Sequence, residues 1–224
     1  EEIEDAQIIS GWLGSMKKRK VSVVTPKKGT KEKLVELAYK NAQMVLLQDT
    51  EKIKREEQRT VGAMQEIADW LSLPHLVRAE AYDISNLGDS GIVGGMVVFE
   101  NGRPLKRAYK RFRMKEHVTQ DDYACMREAI TRRLEHYRAQ DDEGFARLPD
   151  LILLDGGQGH VNTILPVVQQ FGLPIPVFGM VKDQKHRTRA ISSVGGEISL
   201  STNCAAFHML TRIQDEVHRF SVAN

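Results

Sequence analysis

The chain has 224 residues, of which 41% are hydrophobic and 28% charged, and its formal net charge is +2. That length allows one substantial core or two small ones, and the composition is that of an ordinary soluble protein. No apolar run approaches the roughly 20 residues of a membrane span, and the acidic start at Glu1, Glu2, Glu4 and Asp5 is unlike a secretory signal. Cys125 and Cys204 have no metal-ligand spacing, which fits a reduced, cytoplasmic setting. The absence of an initial Met suggests a fragment of a longer protein.

In chain order, KVSVVT at 20–25 predicts a short strand, followed by a turn at Pro26 and Gly29. Thr30 suits the N-cap of a helix from Lys31, with Leu34, Leu37, Asn41, Val45 and Gln48 on one stripe. EKIKREEQRT is too polar to be buried, and Val61, Met64, Ile67, Ala68 and Leu71 then recur at helical spacing. Leu73-Pro74 ends that pattern, because proline disfavours helix in the residue before it. Residues 1–74 therefore read as a small αβα lead-in, a short strand plus helices packed on a core made by residues 75–224.

Past Pro74 the pattern changes. Strands are expected at 79–85, 92–100 and 104–114, with the hairpin signal Asn101-Gly102 between the last two. A helix at about 120–138 carries Tyr123, Met126, Ile130, Leu134 and Tyr137 as its apolar stripe, and Asp121-Asp122 suit its positive end. Then come a strand at 151–155, a helix at about 160–170, a strand at 176–182, a hairpin around Gly195-Gly196 and a helix at about 203–220. Three leading antiparallel strands followed by alternating helices and strands predict an α/β fold, one mixed sheet flanked by helices.

Two aspartates interrupt this apolar grammar. Asp83 lies within EAYDIS and Asp155 closes LILLD. A carboxylate in an apolar strand is costly to bury without a partner. In open α/β sheets, ligands bind beyond the carboxyl ends of the parallel strands. A divalent cation held by both acids answers both facts; a hydrogen-bonded structural Asp is the plainer reading for either one alone. The glycines of DGGQGH do not complete a dinucleotide fingerprint, nor does PKKGTK complete a phosphate loop. His218, just off the buried stripe of the last helix with Gln214 and Asp215 on its face, reads by itself as polar surface. Basic residues gather at Lys17–Lys20, at Lys106–Lys115 and at Lys182–Arg189, local patches that suit a phosphate-binding face or solvated loops and edge strands.

Six stretches are familiar together: AYDISN, FENGRPLKRAYKRFRMK, DDYACMREAITRR, PDLILLDGGQGH, MVKDQKHRTR and RIQDEVHRFSV. In this order they resemble the carboxyl-terminal half of UvrC, the incision subunit of bacterial nucleotide excision repair. The resemblance runs from about residue 20 to the end. It implies an RNase H-like fold and a metal-dependent endonuclease cutting damaged double-stranded DNA on the 5′ side of a lesion. It also implies an Asp-Asp-His triad, which falls on Asp83, Asp155 and His218. Asn86 stands where the family often has histidine, and Gln158 where it usually has lysine.

On that reading Asp83 and Asp155 would ligate Mg²⁺ or Mn²⁺. His218 would complete the shell, or orient or deprotonate the attacking water. Lys182, Lys185 and Arg187, with Arg111 and Arg113, would hold the phosphate backbone, which carries affinity but no sequence information. UvrB would dock through a segment absent from this chain, and no membrane is involved. The rival readings are a catalytically silent RNase H-like DNA-binding module and a nucleotide-dependent enzyme using the Gly156–Gly159 turn.

Overall fold

A computed structural model describes residues 5–86, 91–114, 121–183, 188–199 and 201–223. Compact packing divides the chain into two units, Glu1–Arg55 and Glu56–Asn224. The first holds helix α1 (Ala6–Lys17) and most of α2 (Thr30–Glu57). The expected strand at 20–25 does not form; residues 20–27 have no regular structure. A strand needs a ladder partner for its backbone groups, and the described residues of this unit contain none. Neither helix buries a residue, so Leu34, Leu37 and Val45 are exposed rather than on a buried stripe.

In the second unit a π-helical turn (Gln58–Gly62) leads into α3 (Ala63–Trp70). Ala63, Met64, Ile67 and Ala68 of α3 are fully or almost fully buried in the core of this unit, so packing divides the chain well before Pro74. Among the described residues, eight strands form one sheet: β1 (Arg78–Asn86), β2 (Ile92–Glu100), β3 (Arg103–Pro104), β4 (Lys110–Arg113), β5 (Leu151–Asp155), β6 (Val177–Lys182), β7 (Thr188–Ser193) and β8 (Gly196–Ser199). The spatial order is β3-β2-β1-β5-β6-β7-β8, with β4 also on β2. The central β1, β5 and β6 are parallel, and every other pairing is antiparallel. This is the mixed sheet expected.

The stretch at 104–114 forms two short strands rather than one, because a 3₁₀ turn at Lys106–Ala108 separates β3 from β4. The Asn101-Gly102 turn has positive φ at both residues, 51° and 72°, as a tight hairpin requires. Gly102 is fixed twice over, since a Cβ there would lie 2.5 Å from the backbone of Thr60.

Helices cover both faces. α4 (Asp122–Ala139) and α5 (Gln158–Gln170) pack with Tyr82, Met96, Val98, Ile152 and Leu154. Asp121 caps α4 by accepting from the Ala124 amide at 3.1 Å. On the same side, Glu80, fully buried, forms a forked pair with Arg133 of α4 at 2.8 and 3.0 Å, and Tyr82 donates to it at 2.8 Å. α3 and α6 (Ala205–Val222) cover the other face, over Ala79, Ala81, Val97, Leu151, Leu153 and Met180. Strand alternation carries that second face onward to Asp83 and Asp155.

Candidate metal centre

Ala79, Ala81 and Asp83 alternate down one strand, as Leu151, Leu153 and Asp155 do down its parallel neighbour. The register pairs Tyr82 with Leu154, so the next residues along, Asp83 and Asp155, are neighbours at the carboxyl ends. Both carboxylates emerge where the apolar face of the sheet stops, and α6 lies over them. The helix supplies Gln214, His218 and Ser221, spaced by four and three and therefore on one face.

Asp83 is 7% exposed. Its Oδ2 accepts from Ser221 Oγ, from Ser85 Oγ at 3.3 Å and lies 3.1 Å from His218 Nδ1. Burial pushes its carboxyl above the ordinary value and the Asp155 charge pushes the same way, while the Ser221 hydroxyl and His218 oppose them. Asp155 Oδ1 accepts from Gln214 Nε2 at 2.8 Å, and its Oδ2 accepts from Lys182 Nζ at 2.7 Å. Gln214 also donates to the Met180 carbonyl at 2.9 Å and accepts from Thr188 Oγ1 at 2.6 Å, which ties α6 to β6 and β7.

One ligand atom each from Asp83, Asp155 and His218 can be chosen so that all lie within 4.8 Å of one another. Two carboxylates and an imidazole form a donor set suited to a divalent cation that accepts oxygen and nitrogen. Asp83 is buried and Asp155 partly so, side by side, an arrangement that a cation would relieve.

The last turn of α6 can come this close because β2 carries no side chain at Gly95. Asp83 faces Gly95 across the β1–β2 ladder, and a Cβ on Gly95 would sit 3.0 to 3.3 Å from Cβ, Cα and N of Ser221. Near the end of β5, His160 packs against Tyr123 with ring centroids 4.6 Å apart and planes tilted by 39°, and burial lowers its pKa.

The remaining basic candidates are spread out. Lys182, expected on the phosphate path, is paired with Asp155. Arg111 faces Gly95 across β2–β4, donates to the Phe220 carbonyl at 2.9 Å and lies over the Phe220 ring at 4.7 Å. Arg113, two residues further along the same strand and opposite Val93, is exposed, its carbonyl accepting from Arg132 at 2.9 Å. Lys185 and Arg187 lie outside the described residues. Gln158 Nε2 donates to the Val194 carbonyl at 3.0 Å. Sequence reasoning placed Gln214 on the face of His218 but gave it no role, and it did not name Ser85 or Ser221; for Ser221 the signal was its spacing from His218.

A family model described as the UvrC RNase H endonuclease domain matches residues 68–222. The chain belongs to the UvrC family. A second model, the UvrC ribonuclease H-like domain, matches residues 1–49. The UvrABC system protein C of Lachnospira eligens is 56% identical over 99% of this chain, and that of Acetivibrio thermocellus is 42% identical over 99%. The chain spans 37% and 38% of the length of these two UvrC proteins. Among solved structures, human ENDOV aligns at a TM-score of 0.40 and 10% identity, covering 65% of this chain and 83% of that one. The fold is the RNase H-like one of UvrC, and no described helix is long and apolar enough to cross a membrane.

Proposed function

We propose that this chain is the nuclease core that cuts damaged double-stranded DNA on the 5′ side of a lesion, in a divalent-cation-dependent reaction within nucleotide excision repair. The observation that carries the reading is the convergence of Asp83, Asp155 and His218 to within 4.8 Å at the end of the central strands. The family match supports it, and the whole protein would act with UvrB through parts outside this chain.

Mg²⁺ or Mn²⁺ would be held by Asp83 and Asp155 with His218 beside them; such an ion polarises a phosphate and acidifies water. The protein's own part is positioning. Ser221, Ser85 and His218 fix the Asp83 carboxylate, and Gln214 fixes that of Asp155. In the tautomer whose Nδ1–H donates to Asp83, the lone pair of His218 is at Nε2 on a half-exposed ring. That atom can serve as the third ligand or accept the proton of the attacking water. Arg111, Arg113 and Lys182, with Lys185 and Arg187, would bind backbone phosphates without reading bases.

The test is Asp83→Asn in the whole protein, assayed with its UvrB partner on a duplex carrying a single lesion. The 5′ cut should be lost while DNA binding remains. Full 5′ cutting by the variant would remove Asp83 from the chemistry and leave the domain as a DNA-presenting module.

A further inference from the structure

Both oxygens of Asp155 are engaged, and the two donors differ in freedom. Gln214 is 1% exposed and makes three hydrogen bonds at once, to Asp155, to the Met180 carbonyl and from Thr188. It cannot leave without stranding buried polar groups. Lys182 is the last residue of β6, and its side chain is 25% exposed. Its ammonium is a compact charge on a flexible four-carbon stem. Among the described residues it is the one permanently cationic side chain paired with either aspartate.

We propose that Lys182 is a resident counter-ion that occupies the cation seat on Asp155 Oδ2 and yields it by exchange. This deepens the metal-dependent reading above and rests on it. Two adjacent carboxylates, one buried and one partly buried, need positive charge, and the ammonium 2.7 Å from Oδ2 offsets one of them. A divalent cation between the acids offsets both, and it repels the ammonium from the oxygen they would share. Lys182 therefore leaves Oδ2 as the ion arrives. Its stem then carries the charge outward to the solvent side of the strand end, where a backbone phosphate would lie. The same residue thus keeps the empty acid pair tolerable and becomes a phosphate contact only in the loaded site. The exchange has a measurable consequence: the ion must displace a bound competitor, so its apparent affinity is lower than the bare acid pair would give.

The experiment is calorimetric titration of Mn²⁺ into this chain and into Lys182→Met, both without DNA, with Lys182→Gln as a second variant if the first does not fold. Thermal unfolding checks that the proteins compared are folded. The variant should bind Mn²⁺ about tenfold more tightly, the size expected for removing one charge-assisted bond. A crystal of the parent chain with Mn²⁺ should place Lys182 Nζ beyond hydrogen-bond reach of Asp155 Oδ2. Parent binding with equal or weaker binding by the variant overturns the exchange and leaves the metal site standing, as does Nζ still on Oδ2 with the ion bound. Absence of Mn²⁺ binding by both proteins overturns the metal reading itself, and the exchange with it.

Discussion

Gly95→Ala tests whether the close approach of α6 to β2 sets the geometry of the candidate centre. The added Cβ would meet Ser221 at 3.0 Å from its Cβ, 3.1 Å from its Cα and 3.3 Å from its backbone nitrogen. Ordinary contact begins at about 3.4 Å, and two of the three atoms are backbone, so the helix end has to withdraw by a few tenths of an ångström. His218 Nδ1 is already 3.1 Å from Asp83 Oδ2. A further half-ångström, roughly, takes that pair to about 3.6 Å, beyond a hydrogen bond. Overpacking of this kind costs about 1–3 kcal/mol, and misplacing a reacting group by about 1 Å can cost a hundredfold in rate. Gly94→Ala is the control. Its Cβ would point to the other face, toward the flexible end of Met114 at 3.0 Å and toward Ala129 and Ile84 at 3.3 Å. Urea unfolding and Mn²⁺ calorimetry should show Gly95→Ala destabilised and at least severalfold weaker in Mn²⁺ binding. Gly94→Ala should bind Mn²⁺ as the parent does. Unchanged stability and Mn²⁺ affinity in Gly95→Ala would refute the argument that this contact holds the site.

Arg133→Met leaves Glu80 buried with Tyr82 and only the 3.3 Å contact from Arg78. Urea unfolding should show a loss of about 3–5 kcal/mol, partly recovered when Glu80→Gln is added. Arg111→Ala should weaken DNA binding by the whole protein about equally across sequences and lower the salt-dependence slope by about 1; fluorescence anisotropy over a salt series reads both. Glu216 has its pKa lowered by the Arg219 pair, with Tyr109 also donating to it and burial opposing them. A lowered folded pKa means that its stabilising contribution is present above the unfolded value and is lost as pH falls through the folded one. Glu216→Gln should therefore flatten the acid limb of stability, followed by urea midpoints at falling pH.

Period and punctuation in the sequence carried most of the second unit. The strand signal at 79–85, the apolar run at 151–154, the Asn101-Gly102 turn and the stripe Ala206, Leu210, Ile213 and Val217 each act over a few residues, where local sterics and burial decide the outcome. The two aspartates stood out for the same reason, as charges inside apolar strands. KVSVVT shows the limit: β-branched residues make a strand favourable, but only a partner makes it a strand. Likewise 104–114 breaks at Lys106–Ala108, because a strand's length depends on the neighbour it pairs with. By itself the sequence placed Asp83 within one strand and Asp155 at the end of another in an α/β sheet. That His218 reaches Asp83 across 135 residues of chain, that Gln214 and Ser221 hold the two acids, and that Lys182 sits on Asp155 were decided by the tertiary structure. These contacts follow from where α6 crosses the sheet, and that crossing is set by packing against Gly95 and the core rather than by any local preference of the helix.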